Sequence, residues 1–183
     1  SLRRAASAQL LAELSDYPDP FEAFALGLCQ DLGTVLLGLR LPHLATSIQA
    51  LRQKPGQARI DAERVLTGRS HSEEFADSPM ADMLPPDLQQ ALRQQHDWAN
   101  LDTDRVSQLA RLAMGADLIA DVVQAWPKDS CVVAAEQLLE SMNIKESLSS
   151  MLRKVSDRMC DLSQDLRMEI GAQLSLEEVV AEA

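Results

Sequence analysis

Apolar residues recur at intervals of three and four along most of this 183-residue chain. That spacing places side chains on one face of an α-helix. Sharp helix signals separate the apolar stripes, such as the capping sequence Asp19-Pro20-Phe21-Glu22 at a start and Gly68 at a stop. No segment shows the sustained period-two alternation of a half-buried strand. The pattern therefore predicts an all-α fold.

The start and stop signals predict the helices one by one. A stripe formed by Phe21, Phe24, Ala25, Leu28 and Leu32 is predicted to carry the second helix as far as Gly33. A capping box at Ser175 and Glu178 predicts one more short helix near the end of the chain. The remaining predicted helices cover residues 2–14, 34–40, 42–53, 57–67, 71–79, 86–96, 105–125 and 130–142.

The tail carries a heptad-like seam from Leu148 to Leu166, whose apolar residues alternate steps of four and three. Two interpretations stay open. The seam is either the last core helix of the bundle or a contact that forms a homodimer.

Composition excludes several classes of function. Net charge is −11 with scattered Lys and Arg, and tight nucleic-acid binding needs clustered cations. The same charge disfavours an anionic membrane surface, and we expect no apolar run long enough to span a bilayer. Three cysteines lie far apart without CxxC spacing (Cys29, Cys131 and Cys160), which is typical of a reducing compartment such as the cytoplasm.

Four polar residues on different predicted helices are candidates for one site: Asp31, His71, His96 and Asp117. Gln30 lies beside the first. A bundle that brought them together would hold the His and carboxylate ligands of a divalent metal. Taken singly, each has a simpler interpretation, because Asp31 suits a helix end, Asp117 a helix surface, and the histidines solvent or a hydrogen-bonded core.

Two segments in the first half of the chain resemble the HDOD family, the HD-related output domains of bacterial signalling proteins. The stretch "FALGLCQDLGTVLL", which contains Gln30 and Asp31, is similar to the F-x-x-GLLHDIG segment of HD-superfamily proteins. The stretch "ERVLTGRSH" is similar to the family's Glu-x(4)-Gly-x-x-His segment, with Glu63, Gly68 and His71 at the matching positions.

Two later segments extend the resemblance, so that it covers about residues 1–125. Leu84-Pro85 through "ALRQQH" is similar to a helix that ends in a His-His pair. The stretch "RLAMGADLIADVV" is similar to an Ala-Asp helix, with Asp117 at the acidic position.

The resemblance implies a degenerate metal site at Gln30, Asp31, His71, His96 and Asp117, and structural roles for Gly27, Gly33, Glu63 and Gly68. Proteins of the HD superfamily have the His of a His-Asp pair at the position of Gln30. Gln95 replaces one member of the His-His pair. Thr34 stands where catalytic members often have lysine. "SLRRA" resembles the helix that carries the first ligand His, which would fall before Ser1.

An amide is a much weaker ligand for a transition metal than imidazole, and metal sites fail when a ligand is lost. We therefore expect neither catalysis nor a resident cofactor; loose binding of a divalent metal is the remaining alternative. Buried hydrogen bonds that hold the helices together would also explain why Asp31 and His71 are present.

The resemblance thus implies a multi-helix HDOD-like bundle in which residues 1–127 form an N-terminally incomplete core and residues 128–183 a C-terminal helical extension and linker. The expected function is a non-catalytic regulatory module in the bacterial cytoplasm. Its expected partner is a signalling protein or a linked output domain, for example a diguanylate cyclase of cyclic di-GMP signalling. The alternatives are a residual metal-dependent phosphohydrolase and a helical dimerisation unit.

Overall fold

A computed structural model describes residues 1–54, 56–96, 102, 104–124 and 128–165, and these ranges contain helices and no strand. This confirms the predicted all-α fold. Short 3-10 helices cover Pro42–Leu44, Leu51–Gln53 and Ala81–Met83. The α-helices are α1 (Leu2–Leu14), α2 (Pro20–Cys29), α3 (Leu32–Arg40), α4 (Ala45–Ala50), α5 (Gly56–Thr67), α6 (His71–Ala76), α7 (Pro86–Gln94), α8 (Arg105–Gln124), α9 (Lys128–Ser141) and α10 (Leu148–Asp165).

Side-chain and glycine caps set several of the predicted boundaries. Asp19 accepts hydrogen bonds from the backbone N–H groups of Phe21 and Glu22 at 3.1 and 3.0 Å, which begins α2. Gly68 ends α5 with a φ of +82°, and its N–H donates to the carbonyl of Arg64 at 2.9 Å. These two helix ends were predicted from residue type alone, and the structure confirms both.

The apolar stripe of α2 is not its buried face. Phe21 is 76% exposed and Leu28 37% exposed, whereas Ala23, Leu26 and Gly27 are buried. The reason is the close packing of α2 on α1: a methyl group added at Gly27 would lie 2.6 Å from the Arg4 carbonyl oxygen and the Ala5 Cα. Only glycine fits at position 27, and in this register Phe21 and Leu28 face outward while Leu26 is buried.

Two predicted helices are also divided differently. The helix expected to reach Gly33 ends at Cys29, and α3 begins at Leu32 after a turn at Gln30 and Asp31. The segment expected as one helix over 42–53 consists of two 3-10 turns flanking the short α4.

The helix α8 lies at the centre of the molecule, in contact with α1, α2, α7 and α9. Its buried side chains join those of α1 and α2 in one aliphatic core, which includes Leu11, Leu26, Leu109, Leu112 and Ile119. Such a core agrees with the 3% aromatic content. Because α8 touches most of the bundle, a residue on it is well placed to meet residues from several other helices.

The heptad-like seam faces the interior of the same chain. Leu148, Met151, Leu152, Val155 and Met159 are buried, and α10 packs against α1 and α9. The last core helix is thus the interpretation that the structure supports. A homodimer through this seam stays a prediction, and it would have to compete with these intrachain contacts. Leu166, Ser175 and Glu178 lie outside the described residues, and the domain division after residue 127 stays a prediction.

One segment contradicts the expectation that no apolar run could span a bilayer. Pro20–Arg40 is long and apolar enough by length and composition, with a mean hydropathy of 1.3 and 44% of it buried. The segment comprises α2 and α3, and the turn between them holds the buried polar pair Gln30 and Asp31. Core helices of soluble proteins pass the same test, so the signal is weak.

Candidate functional site

The guanidinium group of Arg4 lies between two of the predicted site residues. Its Nη1 donates to Asp31 Oδ2 at 3.0 Å, and its Nε donates to Asp117 Oδ1 at 2.6 Å. Its Nη2 lies 3.8 Å from Asp121 Oδ1. Arg4 is only 2% exposed. The structure thus brings Asp31 and Asp117 together, as predicted, around a cationic side chain that was not predicted.

Helix packing explains how the three groups meet. Arg4 belongs to α1, Asp31 to the turn after α2, and Asp117 to the middle of α8. The close approach of α1 and α2 at Gly27 brings Arg4 next to Asp31. Asp121 follows Asp117 by one helical turn on the same face of α8.

Two further arginines surround Asp31. Arg52 Nη2 donates to Asp31 Oδ2 at 2.8 Å, and Arg59 Nη2 lies 3.8 Å from Asp31 Oδ1. Arg59 Nη2 also donates to the hydroxyl of Thr34 at 2.6 Å. Thr34 is the position where the sequence lacked the family's lysine, and a guanidinium from α5 contacts it there.

The electrostatics follow from this arrangement. Burial by itself would raise the pKa of Asp31, but Arg4, Arg52 and Arg59 hold it well below the usual range. The pKa of Asp117 is likewise lowered against the effect of burial, chiefly by Arg4. Both carboxylates are therefore ionised and paired with guanidinium groups.

Asp121 behaves in the opposite way. Burial, together with the negative charge of Asp117 on the same helix, raises its pKa to about 7. Its Oδ2 accepts a hydrogen bond from the backbone N–H of Gly56 at 3.1 Å. Arg4 cannot compensate both aspartates fully, so one of the two carboxyl groups on α8 retains its proton into the neutral range.

The two predicted histidines form a separate group. His71 Nδ1 lies 2.6 Å from Glu63 Oε2, and the same oxygen accepts the backbone N–H of His71 at 2.8 Å. The His71 and His96 rings meet edge to face, with centroids 5.4 Å apart. Burial lowers the pKa of both imidazoles, that of His96 to about 4. Both rings are therefore neutral at physiological pH.

The predicted structural residues act through contacts between elements. Glu63 is fully buried, and its other oxygen accepts from Arg59 Nε at 2.9 Å. Gly33 lies so close to α6 that an added methyl group would overlap the carbonyl of His71. With Gly27 and Gly68 already described, the three glycines have conformational or packing roles, and Glu63 has a hydrogen-bonding one.

Gln30 makes hydrogen bonds within the core. Its Nε2 donates to Gln95 Oε1 at 2.9 Å and to the carbonyl of Ala113 on α8 at 2.7 Å. Gln95 Nε2 in turn donates to the hydroxyl of Ser72 at 3.3 Å. The two glutamines at the family's histidine positions therefore join α2, α6, α7 and α8.

This set of residues does not fit a divalent metal. The carboxylates of Asp31 and Asp117 are engaged by Arg4, a cation that would repel a metal ion between them. Gln30 contributes an amide where an imidazole is needed. Within the described ranges, no group of three or more His, Cys, Asp or Glu residues could hold a metal ion.

Sequence reasoning missed the arginines and Asp121. Arg4 lies four and seven residues before Ala8 and Leu11, both buried, and therefore on the same face of the helix. That spacing indicates a buried cation. Asp121 follows Asp117 at the same-face spacing of four. Arg59 stands four residues before Glu63, an i,i+4 charge pair that the sequence shows, whereas no pattern marked Arg52, because its partner Asp31 lies in a distant segment.

Comparison with known proteins gives one match. A family model described as HDOD domain matches residues 1–98, which is more than half of the chain. The matched range contains Gln30, Asp31, His71 and His96 and ends before Asp117. No curated protein and no solved structure matches the chain.

Proposed function

We propose that this chain, which belongs to the HDOD domain family, is a non-catalytic regulatory module of a bacterial signalling protein. HDOD domains are degenerate relatives of HD-type domains and are generally non-catalytic. One observation carries the proposal beyond the family: the buried guanidinium of Arg4 lies between Asp31 and Asp117.

The Arg4 position supports a non-catalytic role on chemical grounds. A metal-dependent phosphohydrolase needs a divalent ion to activate water and to neutralise the developing charge on phosphate. Arg4 pairs with both carboxylates, but a guanidinium has no open coordination position at which a water could be activated. The site therefore holds a positive charge between the two carboxylates but cannot activate a water for hydrolysis.

The proposed mechanism is coupling through helix packing. The site contributes contacts to α1, α2 and α8, and α8 packs directly against α9. An input that shifted these contacts would change the positions of α9 and α10, and the tail could transmit that change. We propose a cytoplasmic signalling protein or a linked output domain as the recipient, with a diguanylate cyclase as the first candidate.

The catalytic side of the proposal is tested by hydrolysis assays. Purified protein is supplied with Mn²⁺ or Zn²⁺ and with a chromogenic phosphodiester, beside an Asp31→Ala variant. We expect no turnover above the variant's background. Turnover by the wild-type chain that disappears in Asp31→Ala would refute the proposal.

The regulatory side is tested in the parent protein. The reading frame downstream of residue 183 identifies any linked output domain, and the activity of that domain is measured with and without an Arg4→Met substitution. We expect the substitution to change output activity because it alters the packing of α1 on α8. Unchanged activity in a folded variant would count against coupling through this site.

A further inference from the structure

A cavity of about 470 Å³ lies between α5, α6 and α7, and His96 forms part of its wall. Its volume falls in the range of small-molecule sites. Its lining combines cationic, hydroxyl and apolar groups: Arg64, Arg69, Arg93, Ser70, Ser72 and Ile60, together with His96 and two carboxylates.

The local charge runs against that of the whole chain. The protein carries 28 acidic and 17 basic residues, yet three arginines border this one cavity, beside two carboxylates, Glu73 and Asp77, among its described lining residues. A cavity with excess guanidinium groups in an otherwise acidic protein attracts anions selectively.

His96 lines the cavity, so its ring can report on what the cavity binds. Its Nε2 is itself buried and makes no hydrogen bond within the described part of the chain.

We propose that this cavity binds a small phosphate-bearing molecule, with arginine forks on the phosphate oxygens and the His96 ring in the wall of the site. Arginine is the side chain best matched to phosphate, because its planar donors make paired hydrogen bonds. Ile60 and Ala76 provide apolar surface for the remainder of the ligand.

The arginines are accessible to such a ligand. Arg64 pairs with Glu73 at 2.7 Å, and both side chains are nearly half exposed. Arg93 lies 3.7 Å from Asp77, which also pairs with Arg69. Exposed ion pairs contribute little to stability. Breaking these pairs to bind a ligand would therefore cost little free energy.

The cavity is connected to the core by hydrogen bonds. Ser72 lines it and accepts from Gln95, which accepts from Gln30, which donates to the Ala113 carbonyl on α8. A ligand at Ser72 would therefore act on the helix that we propose as the coupling element. This deepens the proposed regulatory function by naming an input, whereas the binding itself does not depend on that function.

The test is imidazole NMR, because the chain has only three histidines. Inorganic pyrophosphate is titrated at constant ionic strength, with chloride as the reference anion. We expect a saturable shift of the His96 ring protons, while those of His43, which is exposed and outside the cavity lining, stay unchanged. No saturable shift of His96, or an equal shift with chloride, would overturn the proposal.

Arginine variants locate the site. An Arg69→Gln/Arg93→Gln double variant is expected to weaken pyrophosphate binding by at least about tenfold, because the loss of even one good charged contact has an effect of that size. Arg64→Gln provides a second, independent variant. Arg158→Gln is the control, because Arg158 pairs with Glu13 on α1 and lies outside the cavity lining. Equal affinity in the double variant and the control would refute the assignment.

The same samples separate this inference from the proposed function. Release of orthophosphate during the titration would contradict the non-catalytic proposal and leave the binding site standing. Binding without release supports both. Absence of binding refutes only the ligand assignment.

Discussion

Gln30 and Gln95 are 65 residues apart in sequence, and their side chains are hydrogen-bonded to each other at 2.9 Å. They occupy two positions at which the family resemblance has histidine. An amide side chain has both a donor and an acceptor, so two amides can hydrogen-bond directly to each other. Two neutral imidazoles that bind a metal do not need such a bond. The two glutamines therefore act as one unit that holds the end of α2 to the end of α7 by hydrogen bonding.

This pairing predicts a stability loss in Gln30→Leu. The substitution leaves Gln95 Oε1 and the Ala113 carbonyl without their donor, and buried unsatisfied groups cost about 1 to 3 kcal/mol. Urea denaturation measures the loss in free energy of unfolding. Gln49→Leu on the exposed surface of α4 is the control and should change stability little.

A double variant tests the coupling between the two amides. Gln30→Leu/Gln95→Leu should lose less than the sum of the single losses, by about 1 kcal/mol, because neither substitution then strands the other amide. Strict additivity would show that the two glutamines are independent.

Arg4 is the second target. Arg4→Met should lower the free energy of unfolding by about 3 to 5 kcal/mol, because it leaves Asp31 and Asp117 as buried charges without their shared partner. Arg4→Lys should recover only part of this, since an ammonium group cannot bond both carboxylates in one plane. Arg158→Ala, which breaks an exposed pair with Glu13, is the matched control and should cost at most about 1 kcal/mol.

The smaller Arg4→Ala variant adds a test of the electrostatic argument. With the guanidinium removed, a divalent ion such as Mn²⁺ should restore part of the lost stability, since it is bound by the folded state alone. The wild-type protein should show no such increase. Equal stabilisation of both proteins by Mn²⁺ would mean that the ion binds elsewhere.

Two glycines in α3 predict opposite effects of the same substitution. Gly33→Ala should destabilise strongly, because the new methyl group meets the backbone carbonyl of His71, which cannot move without shifting α6. Gly38→Ala has open space at the corresponding position and should stabilise by about 0.5 to 1 kcal/mol. Thermal unfolding compares the two; a stabilised Gly33→Ala variant would contradict the close approach.

The pH dependence of stability contains two opposing contributions. Folded Asp121 keeps its proton up to about pH 7, while the unfolded chain loses it near 4, so this group lowers stability as pH rises between those values. Folded His96 loses its proton near 4 and the unfolded chain near 6.5, so this group raises stability over that range. His71 acts in the same direction as His96.

Asp121→Asn should separate the contribution of Asp121 to the pH dependence of stability from that of the histidines. The groups that face Asp121 are Asp117, Arg4, Arg59 and the thiol of Cys131, and the amide keeps an acceptor for the Gly56 N–H. The variant should gain stability relative to wild type as pH rises from about 4 to about 7. Urea unfolding across that range measures this, and parallel profiles for the two proteins would rule it out.

Sequence reasoning succeeded where local chemistry decides the structure. Asp19 begins a helix and Gly68 ends one through contacts with their own neighbours, so residue type alone located them. It failed on the face of α2, because periodicity showed a stripe through Phe21 but could not show that α1 approaches so closely at Gly27.

The candidate site divides in the same way. The family motifs located Asp31, His71, His96 and Asp117, but not which group each would contact. The partner of Asp31 and Asp117 proved to be Arg4, whose role depends on the packing of three helices. Tertiary contacts of this kind have no signature in a single sequence, apart from the buried register of Arg4 on α1.

The cation between Asp31 and Asp117 is covalently part of the chain, and this fixes its occupancy. A centre that loads a metal ion exists as filled and empty populations, whose ratio follows the free metal concentration of the cell. A tethered guanidinium has no such loading equilibrium, because it cannot be diluted or removed by a chelator. The electrostatic state of this core is consequently insensitive to metal starvation and metal excess alike.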